Sequence, residues 1–316
     1  MMTKGQIIQK YAIFAILVGL FIFFSILAPT FLTVDNIMNL LVQSAILGIV
    51  GFALGIIMMA GEIDLSYAGA IPLAGSIFAM FLRDGAAYPV AIGVAFLVGI
   101  AVSGIIAFLV TQFRLVSYVT TIAMMFLLQG IWYVYTEGKN IFIGEELNRE
   151  FIFGNIGPFP RVVVFFLLLF VILYIVSEHT PFGLRLRAVG TDPESSRAAG
   201  ISPTKYKTIA FIIGGFIFTI GALLSTARMS GALATSGTNL LMPVMTVAFV
   251  GQTFLGMGRP NIPGIFLAAE LLAMIDNAFV LMQLPFWSVP IANGIILILA
   301  IYLANIGKRE IIQIKF

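Results

Sequence analysis

Apolar runs of about 20 residues, the length needed to cross roughly 30 Å of hydrocarbon, recur along the chain between short polar breaks. They fall near residues 11–28, 38–59, 66–82, 88–111, 117–136, 161–177, 207–228, 241–256, 263–281 and 287–305, which predicts an all-α polytopic membrane protein with about ten transmembrane helices. Within the fourth run Ala91, Ala95, Gly99, Ser103, Ala107 and Thr111 recur every four residues, and in the second Gly48, Gly51 and Gly55 do much the same. Such small-residue stripes let helices approach closely. They predict a bundle in which these faces meet protein and not lipid.

Two polar breaks carry more than a turn. The longer, Thr180 to Lys207, holds a helix signal. Asp192 suits the cap, Pro193 the first helical position, Glu194 the first turn, and Gly200 the stop. A helix of about two turns, roughly 10 Å long, is too short to stand alone and needs a surface. Arg185, Arg187, Arg197, Lys205 and Lys207 surround it, which places it in a cytoplasmic loop spanning 178–206. The shorter break, Gly61-Glu62-Ile63-Asp64-Leu65-Ser66, reads in two ways. It is a surface turn with Asp64 or Ser66 capping the next helix, or a helix broken at membrane depth whose backbone lines a cavity.

Composition sharpens the class. The chain is 60% hydrophobic and 10% charged, far from the roughly 25% charged average of soluble proteins. With no cysteine and one histidine, His179, thiol chemistry and the usual zinc sites are excluded, and no metal is expected in the chain. The net charge of +3 sits in loops beside apolar spans and does not point to nucleic acid. The run from Lys10 to Pro29 lacks a small-x-small cleavage pattern and is expected to stay as an anchor. An even number of spans puts both termini on one side. If that side is the cytoplasm, twelve bases lie inside against five outside (Arg83, Lys139, Arg149, Arg161 and Arg228), which supports the assignment. It also puts the 137–160 loop outside, with four acids against two bases.

Candidate chemistry is sparse. Neither a phosphate-cradling G-x-x-x-x-G-K-[ST] nor an H-E-x-x-H or G-x-S-x-G motif occurs, so no catalytic residues and no nucleotide site are expected in the chain itself. Polar residues inside spans are functional candidates by default. They are Gln129, Gln252, Glu270, Asp276, Asn277 and Asn293, with Asp64, Ser66 and Thr121 added as pathway or gate candidates. Asp276 and Asn277 also read as residues of the outer interface. Glu270 reads either as a protonated side chain bonded to another helix or as a charge relay.

Thr180-Pro181-Phe182-Gly183, Ala188-Val189-Gly190 and the stretch from Asp192 to Ile201 resemble the cytoplasmic signature of ribose-type sugar permeases of bacterial ABC importers, approximately T-x-F-G-R, A-x-G-G-N and A-A-R-x-x-G-I. Gly61 to Ser66 is similar to that family's G-G-I-D-L-S, Val119 to Gly130 to its I-V-T-L-A…R-G, and Ala234 to Thr238 with Gly251 to Arg259 to its two glycine-rich stretches. The resemblance runs from about residue 38 to 305. It implies a single transmembrane permease domain over 1–316, with a fold like that of the cobalamin (type II ABC) importers. A coupling helix would comprise Gly190, Thr191, Asp192, Pro193, Glu194, Ser195, Ser196, Arg197, Ala198, Ala199 and Gly200. The implied partners are ATP-binding subunits that carry the ATP and magnesium, an external solute-binding protein, a second permease copy, identical or paralogous, and the lipid of a bacterial inner membrane. The implied cargo is a monosaccharide or related polyol, with a nucleoside as the alternative.

Departures from the family pattern lie in the membrane region: Glu62 for Gly, Gln129 for Arg, Gln252 for Gly, Glu270 for a small residue, and Asp276 for Asn. They bear on the solute and leave the docking segment intact. A reading of another class, a self-contained proton-coupled transporter, would put Glu270 at the centre, but it has no use for a capped helix in a basic loop.

Overall fold

The computed structural model describes residues 4–144, 154–253 and 258–313, with 4–13 and 303–313 described as backbone alone. Glu145, Glu146, Arg149 and Glu150 of the 137–160 loop, residues 254–257 of the glycine-rich stretch, and Lys315 lie outside the described residues.

In chain order the elements are α1 (Lys4–Leu27), α2 (Val34–Met59), α3 (Tyr67–Arg83), α4 (Tyr88–Thr111), α5 (Ser117–Thr136), β1 (Ile141–Phe142), β2 (Asn155–Ile156), β3 (Phe159–Pro160) and α6 (Arg161–His179). They continue with α7 (Pro181–Thr191), α8 (Pro193–Ala198), α9 (Pro203–Arg228), β4 (Gly231–Ala232), α10 (Ser236–Thr253), α11 (Ile262–Leu281) and α12 (Ser288–Gln313). A helix overlaps each of the ten expected runs. Among the described residues six of them, α2, α4, α5, α6, α9 and α11, are long and apolar enough to cross a membrane by length and composition. Shorter apolar helical stretches lie at Phe14–Leu27, Tyr67–Arg83 and Ser288–Tyr302. Outward-facing side chains such as Leu97, Val134 and Leu168 are large and apolar, as a hydrocarbon surround requires.

Polar capping moves some helix starts beyond the apolar runs. α9 begins at Pro203 and not at 207, because Ser202 accepts from the Lys205 N–H at 3.4 Å and Pro203 fills the first position. The larger difference is α7. A helix occupies Pro181–Thr191, where loop was expected up to Gly190, and it takes Gly190 and Thr191 out of the expected coupling helix. Its start is the same signal: Thr180 caps Gly183 N (3.5 Å) and Pro181 follows.

The chain divides into two compact units. One comprises Met1–Gly55, Phe166–Tyr174 and Met242–Phe316, the other Ile56–Phe165 and Ile175–Leu241. In the first, the glycine face of α2 does what its spacing predicts: Gly48 lies against Phe166 and Ala269, Gly51 and Gly55 against Ile265, and Gly51 also against Val247. Phe52, Phe166 and Phe266 form a stacked run with ring centroids 5.4 and 5.2 Å apart. Beside it, Asn261 caps α11 by accepting from Gly264 N at 2.7 Å, and Thr253 Oγ1 donates to the Ala300 carbonyl at 3.1 Å.

In the second unit the small stripe of α4 packs on α9, with Gly99 against Thr219 and Ser103 against Gly215. Thr111 and Thr208 lie 3.4 Å apart where the two helices end and begin. α3 sits among α4, α5 and α9. It is pinned by Trp132 Nε1, which donates to Ser76 Oγ at 2.7 Å, and by its own Tyr67, whose hydroxyl donates to the Leu241 carbonyl at 2.7 Å. Two antiparallel ladders complete the unit: β1 with β4 (Ile141 opposite Ala232) and β2 with β3.

Candidate functional site

The base of the site is α7. It buries Gly183, Leu186 and Val189 and is tied back to the end of α6 by Arg187, which donates to Glu178 Oε1 (2.6 Å) and to the Ser177 carbonyl (2.7 Å). Arg185 reaches Tyr206 OH on α9 at 3.3 Å, and Phe182 packs its ring on the same tyrosine. The five bases of the loop therefore divide by role. Arg185, Arg187 and Lys207 hold the loop together, while Arg197 and Lys205 face outward.

On this base stands α8, capped at both ends. Asp192 Oδ1 accepts from Glu194 N (3.0 Å) and Ser195 N (3.1 Å), and Ser195 Oγ donates to Asp192 Oδ2. These bonds, the Ser195 hydroxyl first, hold the Asp192 carboxyl below its ordinary value. At the other end Gly200 takes φ +79°. Its N–H donates to the Arg197 carbonyl (3.0 Å) and the Ile201 N–H to the Ser196 carbonyl (2.9 Å), the paired bonds of a left-handed helix stop. Ser196 is the residue α8 buries; Glu194, Ser195, Arg197, Ala198 and Ala199 are exposed. Thr191 is exposed too and donates to the Arg187 carbonyl at 2.9 Å. A six-residue helix thus presents a small-residue face with one cation and one anion, on a rigid helical mount.

Gly190 belongs to the mount and not to the exposed face. A Cβ there would strike the Met59 carbonyl oxygen and come 2.8 Å from Gly61 N, while a Cβ on Gly61, at φ +81°, would meet the Gly190 carbonyl oxygen at 3.0 Å. The Gly61 to Ser66 break is therefore built into the unit. Lys207 Nζ pairs with Glu62, Ile63 N–H donates to Ser117 Oγ at 3.3 Å, and Thr121 Oγ1 lies 3.4 Å from the Ile63 carbonyl. Asp64, Leu65 and Ser66 are buried, so a solvated surface turn does not describe them. Asp64 Oδ1 accepts from Ser66 N at 2.8 Å, whereas Ser66 makes no side-chain cap to α3. Burial pushes the Asp64 carboxyl up to about 6 against the lowering effect of Ser66, and its Oδ2 has no partner.

The intramembrane candidates fall in the other unit, apart from Gln129, which is half-buried on α5. Ser44 Oγ on α2 donates to Glu270 Oε1 on α11 at 3.0 Å, a bond to another helix that both readings of Glu270 accommodate. Asn277 is buried and exchanges two amide bonds with Asn36 near the start of α2 (3.0 and 2.8 Å). Asp276 Oδ1 and Asn293 Oδ1 are buried oxygens without a partner, and Gln252 is buried at 4% exposure. Among the described residues no three metal-ligating side chains come together. Sequence reasoning missed Glu178, Tyr206 and the partnership of Glu62 with Lys207. Thr180-Pro181 was a legible signal for the mount, but nothing local linked residues 62 and 207.

Residues 36–304 match the branched-chain amino acid transport system / permease component family. The chain is 26% identical over 313 residues to the ribose import permease protein of Haemophilus influenzae, covering 97% of each chain. It is 29% identical over 300 residues to that of Bacillus subtilis, covering 94% of this chain and 93% of the relative. The L-arabinose ABC transporter permease protein of Azospirillum brasilense is 25% identical over 300 residues, covering 94% of this chain and 88% of the relative. No solved structure gives a significant match.

Proposed function

The chain belongs to the branched-chain amino acid transport system / permease component family, and on that premise we propose that it is the membrane-spanning subunit of an ATP-driven, binding-protein-dependent importer of a monosaccharide or related polyol. As a permease component it is a transport subunit and not itself an enzyme. The near full-length likeness to ribose and L-arabinose permeases supports the class of cargo. The observation that carries the reading is α8, a helix too short to be stable alone, closed by caps at both ends and exposed on a helical mount.

In this reading α8 docks into a groove of an ATP-binding subunit at the cytoplasmic face of a bacterial inner membrane. That subunit supplies ATP and magnesium. The chain forms one transmembrane domain of ten crossings, like the cobalamin importers, with both termini inside. A second permease copy completes the pathway, and an external solute-binding protein meets the 137–160 side. The outward-facing Arg197 and Lys205 support the inside placement of the 178–206 loop. Asp64, Ser66, Thr121, Gln129, Gln252, Glu270, Asp276 and Asn277 remain the pathway or gate candidates.

Reconstitution tests this directly. The purified chain should hydrolyse no ATP, and with its ATPase and binding protein it should accumulate ribose or L-arabinose in proteoliposomes. Uptake should survive collapse of the proton gradient and stop without ATP. Accumulation by the chain alone, abolished by a protonophore, would overturn the assignment.

A further inference from the structure

The break between α2 and α3 touches three other elements within six residues. Gly61 meets the backbone of Gly190 at the end of α7, Glu62 pairs with Lys207 on the first turns of α9, and Ile63 bonds to Ser117 and Thr121 of α5. Asp64 then fixes Ser66 at the start of α3. The Glu62 and Lys207 side chains are only 11% and 21% exposed, so the pair is poorly screened by water.

The contact to α7 and the contact to α9, whose Tyr206 meets Arg185 and Phe182 of α7, act in opposite senses. Backbone packed on backbone, as at Gly61 and Gly190, resists compression steeply but resists separation only through weak dispersion forces. An ion pair in a low-dielectric setting resists separation. Together they make a link that transmits both push and pull. The packing alone would transmit the push and let the return stroke slip.

We propose that Glu62 and Lys207 are positioning residues that lock the start of α9, to which Tyr206 ties α7 through Arg185 and Phe182, to the feet of α3 and α5, so that movement of α8 in either direction is carried into those two helices. This rests on α8 being the docking element. It also gives a role to Glu62, a residue that departs from the pattern the sequence otherwise resembles, and to Lys207 as its partner rather than as part of the exposed docking face.

The absence of cysteine from the chain makes the test clean. Val116, exposed at the N-cap of α5, is replaced by Cys as a reporter, and the complex with the ATPase subunit is treated with maleimide with and without ATP. The reporter alone should show an ATP-dependent change in labelling rate. Adding Glu62→Gln should shrink that change about fivefold or more, the lower end of coupling between linked sites, while ATPase copurification is unaltered. The exchange Glu62→Lys with Lys207→Glu should restore it, a rescue that simple misfolding would not give. An unchanged response in Glu62→Gln, no rescue by the exchange, no ATP response in the reporter complex, or loss of ATPase capture in Glu62→Gln would each overturn the link. Failure of the chain with native Glu62 and Lys207 to capture the ATPase would instead overturn the docking reading.

Discussion

Ser44 on α2 and Glu270 on α11 meet through one hydrogen bond of 3.0 Å, in which the hydroxyl donates to the carboxyl oxygen. Glutamine keeps an oxygen at the accepting position, so Glu270→Gln should leave thermal unfolding of the solubilised protein nearly unchanged. Ser44→Ala strands a mostly buried acceptor, at a cost of about 1–3 kcal/mol. Its unfolding midpoint should therefore fall, and equal midpoints for the two variants would remove Ser44 as the partner that matters.

Gly200 ends α8 in the left-handed region, at φ +79°. A β-branched residue there is strained by about 1–2 kcal/mol, whereas Asn tolerates the conformation. Gly200→Val should insert into the membrane normally but bring down less ATPase subunit on copurification, and Gly200→Asn should behave as the native chain. Arg197→Glu, which alters the exposed face and leaves the caps in place, should also lose capture. Full capture by both Gly200→Val and Arg197→Glu would show that α8 is not the docking element.

Much of this site was legible because its signals are local. Asp192, Pro193 and Gly200 announce α8 through backbone rules that hold wherever the residues occur, and the four-residue stripe of α4 announces a face that meets protein, which the structure packs on α9. α7 was hidden because its low apolar content, with Arg185 and Arg187 inside it, makes Pro181–Thr191 look like a polar break between spans, although Thr180 and Pro181 marked its start. The contacts of Glu62 with Lys207 and of Asn36 with Asn277 were not legible. Each joins residues far apart in sequence, and a polar residue in an apolar run announces that it needs a partner without naming it.

Asp64 should make stability depend on pH. Its carboxyl is raised by burial from 3.8 to about 6, so the folded state holds the proton more tightly than the unfolded chain. The stabilisation is full below about pH 4 and is lost as pH rises through about 6, with a ceiling of about 3 kcal/mol. Asp64→Asn keeps an oxygen to accept from Ser66 N and removes the titration. Its unfolding midpoint should match the native chain near pH 4 and exceed it at pH 8. A native chain whose midpoint rises between those values would contradict the buried, partnerless Oδ2.

Orientation can be read with single cysteines, provided the probes are accessible. Ser196, at 5% exposure, would stay unreactive whichever side it faced. Lys205, exposed on the first turn of α9 and outside the docking segment, is the better inner probe. Lys139 suits the outer side: its side chain is 72% exposed, and its ion pair with Glu137 is a surface pair whose loss costs little. In intact cells an impermeant maleimide should label Lys139→Cys and should reach Lys205→Cys only after the membrane is opened. The reverse pattern would place α8 outside the cell, where no ATPase subunit could meet it. The docking of α8 and the link through Glu62 and Lys207 would then fall together.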